Sequence, residues 1–429
     1  MSLLLPLNNP RVGFHSGALY AKLQKSQWDD IPSLERLQEK KIQYLIERAK
    51  TTVPFYKDYK DWDNDGKGSL RDKLATYPIL TKDDIRASPS RMHSIKTPRS
   101  FIKTTTGGTT GSPIEIWRER GVITMMEVSF WRGKSWVGIR PSTRGVNIQS
   151  FGRGSWYGRI RMRLTNKWLM DVFAQTKSDK AKNTRTLLKL KPNYIEGFVS
   201  DTLVLGEACL NAGVKIDRVL TTGEMLYDHN RSEIERLFSA KVAEYYGSNE
   251  VGSIAFECEM GQKHITDEHV ILEVVDEEGV TQWGKPGRIL LTDLDNYLTP
   301  LIRYEVGDIG VINRSTCLCG RKLTVLSEIQ GRTQDFIRNE SGQKLSALFF
   351  AGRFKNLNFI NSIQIIQRSY SKIDILYEAK SEKVNDELNE ISSEILARLG
   401  PQMIISFQQV ERLIYSGRGK RRFIINLQE

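Results

Sequence analysis

Cysteine and histidine are scarce in this chain, at four and five among 429 residues. Four thiols in so long a chain exclude a disulfide-stapled scaffold and point to a reducing compartment, the cytoplasm. No stretch approaches the roughly 18 consecutive apolar residues that a membrane-spanning helix needs. The opening MSLLLPLNNP has no basic flank before its short apolar run, which Pro6 interrupts, so it reads as mature protein rather than a signal peptide. Internal repeats and low-complexity tracts are missing as well. Acidic residues fall short of basic ones, 51 against 63, leaving a net charge of +12. That surplus attracts anions, but nucleotides, CoA, nucleic acid and acidic lipids all qualify, so charge alone does not choose.

What is present fits a folded globular chain of two or more domains, with 39% hydrophobic and 27% charged residues. Ser33 to Lys50 reads as a helix, with Leu34, Leu37, Leu45 and Ile46 near helical spacing and Pro54 beyond its end. From Thr104 to Tyr304 short β-rich runs alternate with helical stretches, the pattern of an α/β core. Tyr194–Val199, Arg218–Thr222, Lys241–Tyr246 and Arg288–Asp293 are such runs, and Val270–Val275 before Glu278-Gly279 reads as one arm of a hairpin. After Gly331 the character changes: Ile363–Gln367, Ile373–Tyr377 and Met403–Val410 read as strands and Val384–Leu399 as an amphipathic helix. The expected architecture is α/β, with a large domain over residues 1–331 and a small mobile α+β domain of ββαβ form over 332–429. A polar hinge near Gln330–Asp335 would join them.

The strongest local signal is Thr104-Thr105-Thr106-Gly107-Gly108-Thr109-Thr110-Gly111-Ser112-Pro113. Its glycines let backbone approach a ligand, its hydroxyls offer short hydrogen bonds, and loop amides form anion-binding nests. It reads as a phosphate cradle, and not a Walker A loop, because no Gly-Lys-Ser/Thr follows. A flexible linker is the other reading, but the strand-like Ile114-Glu115-Ile116-Trp117 follows at once.

Further motifs follow in order: Thr222-Gly223-Glu224, Tyr245-Tyr246-Gly247-Ser248-Asn249-Glu250, Arg303-Tyr304-Glu305-Val306-Gly307-Asp308, Gly331-Arg332-Thr333-Gln334-Asp335 and Ser416-Gly417-Arg418-Gly419-Lys420. From Thr104 to Lys420 this series resembles the adenylate-forming superfamily, in the branch of phenylacetate–CoA ligases and capsule-biosynthesis CapK-type proteins. The resemblance implies a large adenylate-forming domain and a small C-terminal one, using ATP and magnesium. It places Thr105, Thr106, Gly107, Gly108, Thr109, Thr110 and Gly111 at the phosphates and Gly223 and Glu224 against the adenine. Tyr245, Tyr246, Gly247, Ser248 and Asn249 belong to the aromatic motif at the nucleotide, and Glu250 to magnesium. Asp308 is placed at the ribose hydroxyls, Arg332 at the hinge and among the nucleotide-binding residues, and Lys420 as the adenylation lysine. Two departures stand out: Gln334 occupies a hinge position where an acidic residue or lysine is frequent, and threonines replace serines at the start of the loop.

The chemistry agrees with these roles. A carboxylate attacking an α-phosphate brings two anions together, so magnesium and a lysine near the bridging oxygens are needed. Lys420, between glycines and the basic pair Arg421-Arg422, can swing in; taken alone it is one more surface lysine. Asp308 can accept from a vicinal diol, or serve only as a turn residue after Gly307. The expected reaction is acyl-AMP formation followed by transfer to CoA, with an amine as the alternative acceptor. A nucleotide-binding scaffold without catalysis is the rival outside enzymes.

Cys258, His264, Cys317 and Cys319 offer three thiols and an imidazole, the donor set of a closed, structural zinc site, and some members of this branch look to carry a similar one. The plain alternative is small buried cysteines and an ordinary histidine. Cys209 reads as helix packing, and His15, His93, His229 and His269 receive no role. Arg153, Arg159, Arg161, Arg163 and Lys167 interleave with Trp156, Tyr157 and Trp168, a surface for CoA phosphates, an anionic glycan carrier or a membrane interface, or simply a solvated loop. No nucleic-acid module accompanies it. Phe198, Trp136, Phe151 and Tyr246 are candidate walls of an aromatic acid pocket. The resemblance implies a homodimer.

Overall fold

In the computed structural model of the protein, the described residues are 9, 11–13, 15–63, 68–105, 114–148, 160, 163–170, 172, 177–210, 212–314, 317–332, 336–346, 350, 353–354, 357, 360–379, 385–411, 413–414 and 423–427. The helix expected over Ser33–Lys50 runs from Ile31 to Thr52. Its start is set by Asp30, whose carboxylate accepts the Ser33 amide at 2.8 Å. Leu34, Gln38, Ile42, Leu45, Ile46 and Ala49 recur at helical spacing and are buried. Most of them join the largest core cluster, with Val270, Leu272, Val274, Ile289 and Leu291 from the strands below.

Eleven strands form one sheet, in the order Val270–Val275, Gly287–Asp293, Tyr304–Asn313, Val325–Arg332, Lys263–Ile265, Gly252–Glu257, Lys241–Ser248, Arg218–Thr221, Tyr194–Gly197, Gly145–Ile148, Lys167–Met170. The last five lie parallel to one another. Helices Val199–Cys209 and Asp228–Phe238 connect strands in this half, and they contribute Leu205, Ile234 and Phe238 to a second core with Val146, Ile195 and Val219. The other strands pair antiparallel. Lys241–Ser248 is the junction. Residues 241–244 pair parallel with Arg218–Thr221, and residues 245–248 pair antiparallel with Gly252–Glu257. The β-runs read from sequence coincide with these strands to within a few residues.

The C-terminal unit is larger than the ββαβ pattern expected. Ile360–Ser369 and Lys372–Ala379 pair antiparallel, Asn385–Leu399 is the helix, and Ile404–Gln409 lies parallel to Lys372–Ala379. A fourth strand, Ile424–Asn426, joins parallel to Ile360–Ser369, and a hairpin of Phe336–Arg338 with Lys344–Ser346 precedes the sheet. These three-residue strands are too short to show periodicity. The unit has its own core, including Ile337, Ile365, Ile375, Ile391 and Ile395.

Candidate functional site

In an open α/β sheet, ligands collect beyond the carboxyl ends of parallel strands, where the topology changes. Tyr245–Glu250 occupies such a place, at the end of the junction strand. Alternation along that strand turns its two tyrosines to opposite faces. Tyr246 is buried and its hydroxyl donates to Asp308 Oδ2 at 2.7 Å, across 62 residues of sequence. Tyr245 turns the other way: its ring stacks on Phe256 at 5.3 Å and its hydroxyl donates to Glu196 Oε1 at 3.0 Å. Gly247 is needed for a close approach, since a Cβ there would stand 2.6 Å from the Gly252 carbonyl oxygen. Ser248 Oγ accepts the Val251 amide at 3.2 Å and closes the turn onto Glu250.

Glu250 is 6% exposed. Its Oε1 accepts from the Tyr304 hydroxyl at 3.1 Å and stands 3.7 Å from the Lys82 ammonium. Burial, and then the Glu250 charge, push the Tyr304 phenol well above its ordinary pKa, so it stays a donor. Tyr304 is aimed by Arg303, which has the left-handed backbone angle φ of 49°. The Arg303 guanidinium is buried and donates to the carbonyls of Tyr77 at 2.8 Å and Gly279 at 2.7 Å, with Glu273 at 3.1 Å as counter-ion. Three anchors of this kind hold an otherwise unfavourable conformation. Asp308 lies opposite Arg332 in the strand register, and the Arg332 side chain lies outside the described residues.

Thr104 and Thr105 end the short strand Ile102–Thr105, which pairs with Glu115–Arg118. The intervening Thr106, Gly107, Gly108, Thr109, Thr110 and Gly111 lie outside the described residues, as does Lys420. Arg118 anchors the root of that loop. Its Nη1 donates to Thr104 Oγ1, and its Nη2 donates to the carbonyls of Asn249 and Glu250, each at 2.5 Å. Sequence reading assigned Arg118 nothing, although alternation puts it on the same buried face as Ile116, where an arginine needs partners.

Gly223 has φ of +74°, and a Cβ there would strike the Phe198 ring at 2.6 Å. The Glu224 carboxylate accepts from the Ser200 amide at 2.8 Å and hydroxyl at 2.9 Å. It therefore caps the helix Val199–Cys209. Trp136 packs with Phe256 on the Tyr245 side: its indole donates to Gln27 at 2.7 Å and its ring meets Phe256 and His264 edge-on. Phe151 lies outside the described residues, as do Arg153, Trp156, Tyr157, Arg159 and Arg161. Lys167 is not part of a basic surface. It is buried, donates to the carbonyls of Pro141 at 3.0 Å and Thr143 at 2.5 Å, and burial pulls its pKa down to about 7. No helix of the described residues is long and apolar enough to cross a membrane.

Cys258, His264, Cys317 and Cys319 meet, with all four ligand atoms within 4.8 Å of one another. Two similar turns build the cluster. Gly261 N–H returns to the Cys258 carbonyl and Gly320 N–H to the Cys317 carbonyl, each at 3.0 Å, with φ of +76° and +84° at the glycines. Met260 N–H points to Cys258 Sγ at 3.4 Å and Cys319 N–H to Cys317 Sγ at 3.5 Å. Sγ of Cys258 and Cys317 are 3.7 Å apart, close to the roughly 3.8 Å expected for two tetrahedral Zn–S bonds of about 2.3 Å. His264 Nε2 lies 3.2 Å from Cys319 Sγ and its Nδ1 3.3 Å from the Leu323 carbonyl, which sets the tautomer a ligand would need. Burial pushes the Cys258 thiol up to about 12. A thiolate there needs a cation beside it, and this donor set fits zinc.

Residues 337–427 match the CapK C-terminal domain family. The chain is 23% identical over 410 residues to Protein CapK of Staphylococcus aureus, covering 92% of this chain and 89% of that one. It is 25% identical over 320 residues to phenylacetate-coenzyme A ligase of Thermus thermophilus, covering 71% of each. Among solved structures, 2-hydroxyisobutyryl-CoA ligase in its postadenylation state matches with a TM-score of 0.71 at 18% identity, covering 94% of this chain and 92% of that one. The overall fold is therefore that of the CoA-ligase structure it matches. In sequence it is similar to a phenylacetate-coenzyme A ligase and to a CapK protein. In this adenylate-forming fold, the Tyr246, Glu250, Tyr304 and Asp308 side chains gather at one edge of the junction strand.

Proposed function

We propose that the chain is an AMP-forming carboxylate ligase. It joins a carboxylic acid to the α-phosphate of ATP, releases pyrophosphate and passes the acyl group to CoA. The observation that carries this reading is the meeting of two distant motifs, Tyr246 with Asp308 and Glu250 with Tyr304, beside the loop root at Thr104–Thr105. Asp308 binds the ribose hydroxyls, Tyr246 flanks the adenine, and residues 105–111 cradle the phosphates. Gly223 leaves room for the base. Glu250, a buried oxygen donor held by Tyr304, suits magnesium, which binds through one or two carboxylates plus phosphate oxygens. Cys258, His264, Cys317 and Cys319 hold a structural zinc. Residues 332–429 form the mobile domain that brings Lys420 to the site. The protein acts in the cytoplasm, as a homodimer, with peripheral membrane contact left to the 153–163 segment.

ATP–pyrophosphate exchange screened over aromatic, fatty, amino and sugar acids tests the reading; no exchange with any acid returns the chain to a nucleotide-binding scaffold. Transfer to an amine, in polysaccharide or natural-product assembly, is the second reading. It is favoured by the CapK match falling on residues 337–427, the unit that would meet the acceptor. Competition between CoA and amines for the acyl group separates the two.

Asp308→Ala removes charge-assisted hydrogen bonds contributing about 1.5–3 kcal/mol each, so ATP affinity should fall roughly tenfold or more. Calorimetry showing unchanged affinity removes Asp308 from the nucleotide site.

A further inference from the structure

The turn that carries Glu250 is held from behind by two basic side chains. Arg118 donates to the carbonyls of Asn249 and Glu250, each at 2.5 Å. His269 Nε2 faces the next carbonyl, that of Val251, at 3.4 Å. On its other side, His269 Nδ1 meets Asp295 Oδ2 at 2.8 Å and lies 3.7 Å from Asp293 Oδ1. Both ring nitrogens therefore face acceptors, and a ring protonated at both satisfies them. Burial opposes that charge, but the two aspartates outweigh it and hold the His269 pKa above its ordinary value.

His269, Asp293 and Asp295 present ligand atoms at the spacing of a metal site. The Lys41 ammonium already stands 2.7 Å from Asp295 Oδ1, and it also donates to the Glu268 carbonyl at 2.6 Å. A metal ion would meet that charge as well as the ring. The group is instead an ion-pair network, with Lys41 and His269 set against Asp295 and Asp293. Asp293 is fully buried, and burial raises its carboxyl above the usual carboxylate range, with His269 and then Arg118 pulling it back down.

We propose that His269 is a positioning residue: with Arg118 it clamps the carbonyls of residues 249, 250 and 251, and so fixes the direction of the Glu250 carboxylate toward a magnesium–nucleotide complex. This rests on the nucleotide-site reading above. A histidine that only fills the core would matter to stability and not to the magnesium requirement.

The test is ATP binding measured by calorimetry in EDTA and across a magnesium titration. His269→Gln removes the second ring proton and one positive charge, leaving two buried carboxylates facing Lys41. The paired His269→Gln/Asp295→Asn restores the balance of charge and keeps the experiment readable if the single variant does not fold. Loss of a group that supports a metal ligand typically weakens metal binding 10- to 100-fold, so the magnesium midpoint should rise by about tenfold or more. ATP affinity in EDTA should stay as in the wild type. An unchanged magnesium midpoint in a folded variant overturns the proposal, and so does an equal loss of affinity with and without magnesium. If the wild type binds no magnesium–ATP, the nucleotide-site reading fails and the His269 role falls with it. If the wild type binds and the midpoint ignores His269, only the His269 role falls.

Discussion

Lys420→Ala should nearly abolish acyl-AMP formation from acid and ATP while leaving transfer from synthetic acyl-AMP within a few-fold of wild type. As carboxylate oxygen attacks the α-phosphate, negative charge builds on that phosphate and on the departing pyrophosphate. An ammonium placed there interacts mainly with the transition state, so its loss appears in the rate rather than in binding. Removing one such preorganised group typically costs about a hundredfold to a thousandfold. In the proposed mechanism the C-terminal unit presents Lys420 for adenylation and another face for transfer, which is why the two half-reactions should separate. Following product from each donor in turn makes the comparison in one assay. A parallel fall in both reactions, with the protein folded, denies Lys420 a dedicated adenylation role. No fall in either reduces Ser416–Lys420 to a surface turn and removes the main support for domain rotation.

Zinc removal should act on the fold rather than the chemistry. The cluster sits where several elements meet: Leu34 of the first long helix, Trp136, Phe256 and Leu323 pack around Cys258 and Cys317. Structural zinc contributes about 10–16 kcal/mol of apparent binding energy near neutral pH. Losing even about 5 kcal/mol of that should lower Tm by on the order of 10 °C in a domain of this size. Metal analysis of protein purified without chelator should find one zinc per chain. Cys317→Ser should lower Tm and soluble yield, and the molecules that remain folded should keep their ATP affinity. Zinc-free wild-type protein with an undiminished Tm would show the four residues to be ordinary core. Because thiol protons must leave for zinc to enter, binding should weaken as pH falls, and a metal-binding isotherm repeated at lower pH checks the sign.

The linear chain by itself determined the inventory: the glycine- and threonine-rich loop, the aromatic–glycine and aspartate motifs in their order, the Cys/His donor set, and the change of character after residue 331. Turn chemistry and strand composition act over a few residues, so these features can be read locally. The short strands at 336–338, 344–346 and 424–426 lack enough residues to display a period and became visible only through their partners. Tertiary structure alone decided which of two adjacent tyrosines faces Asp308, because a strand's facing is set by its register against a neighbour, here Gly252–Glu257. It also decided that Lys167, read as part of a basic surface, is buried over backbone carbonyls. Arg118 and His269 escaped sequence reading for the same reason. Their partners at 249–251, and the Asp293–Asp295 pair behind His269, are remote in the chain. Whether a buried charge is satisfied depends on which groups the fold carries to it, and no local pattern records that.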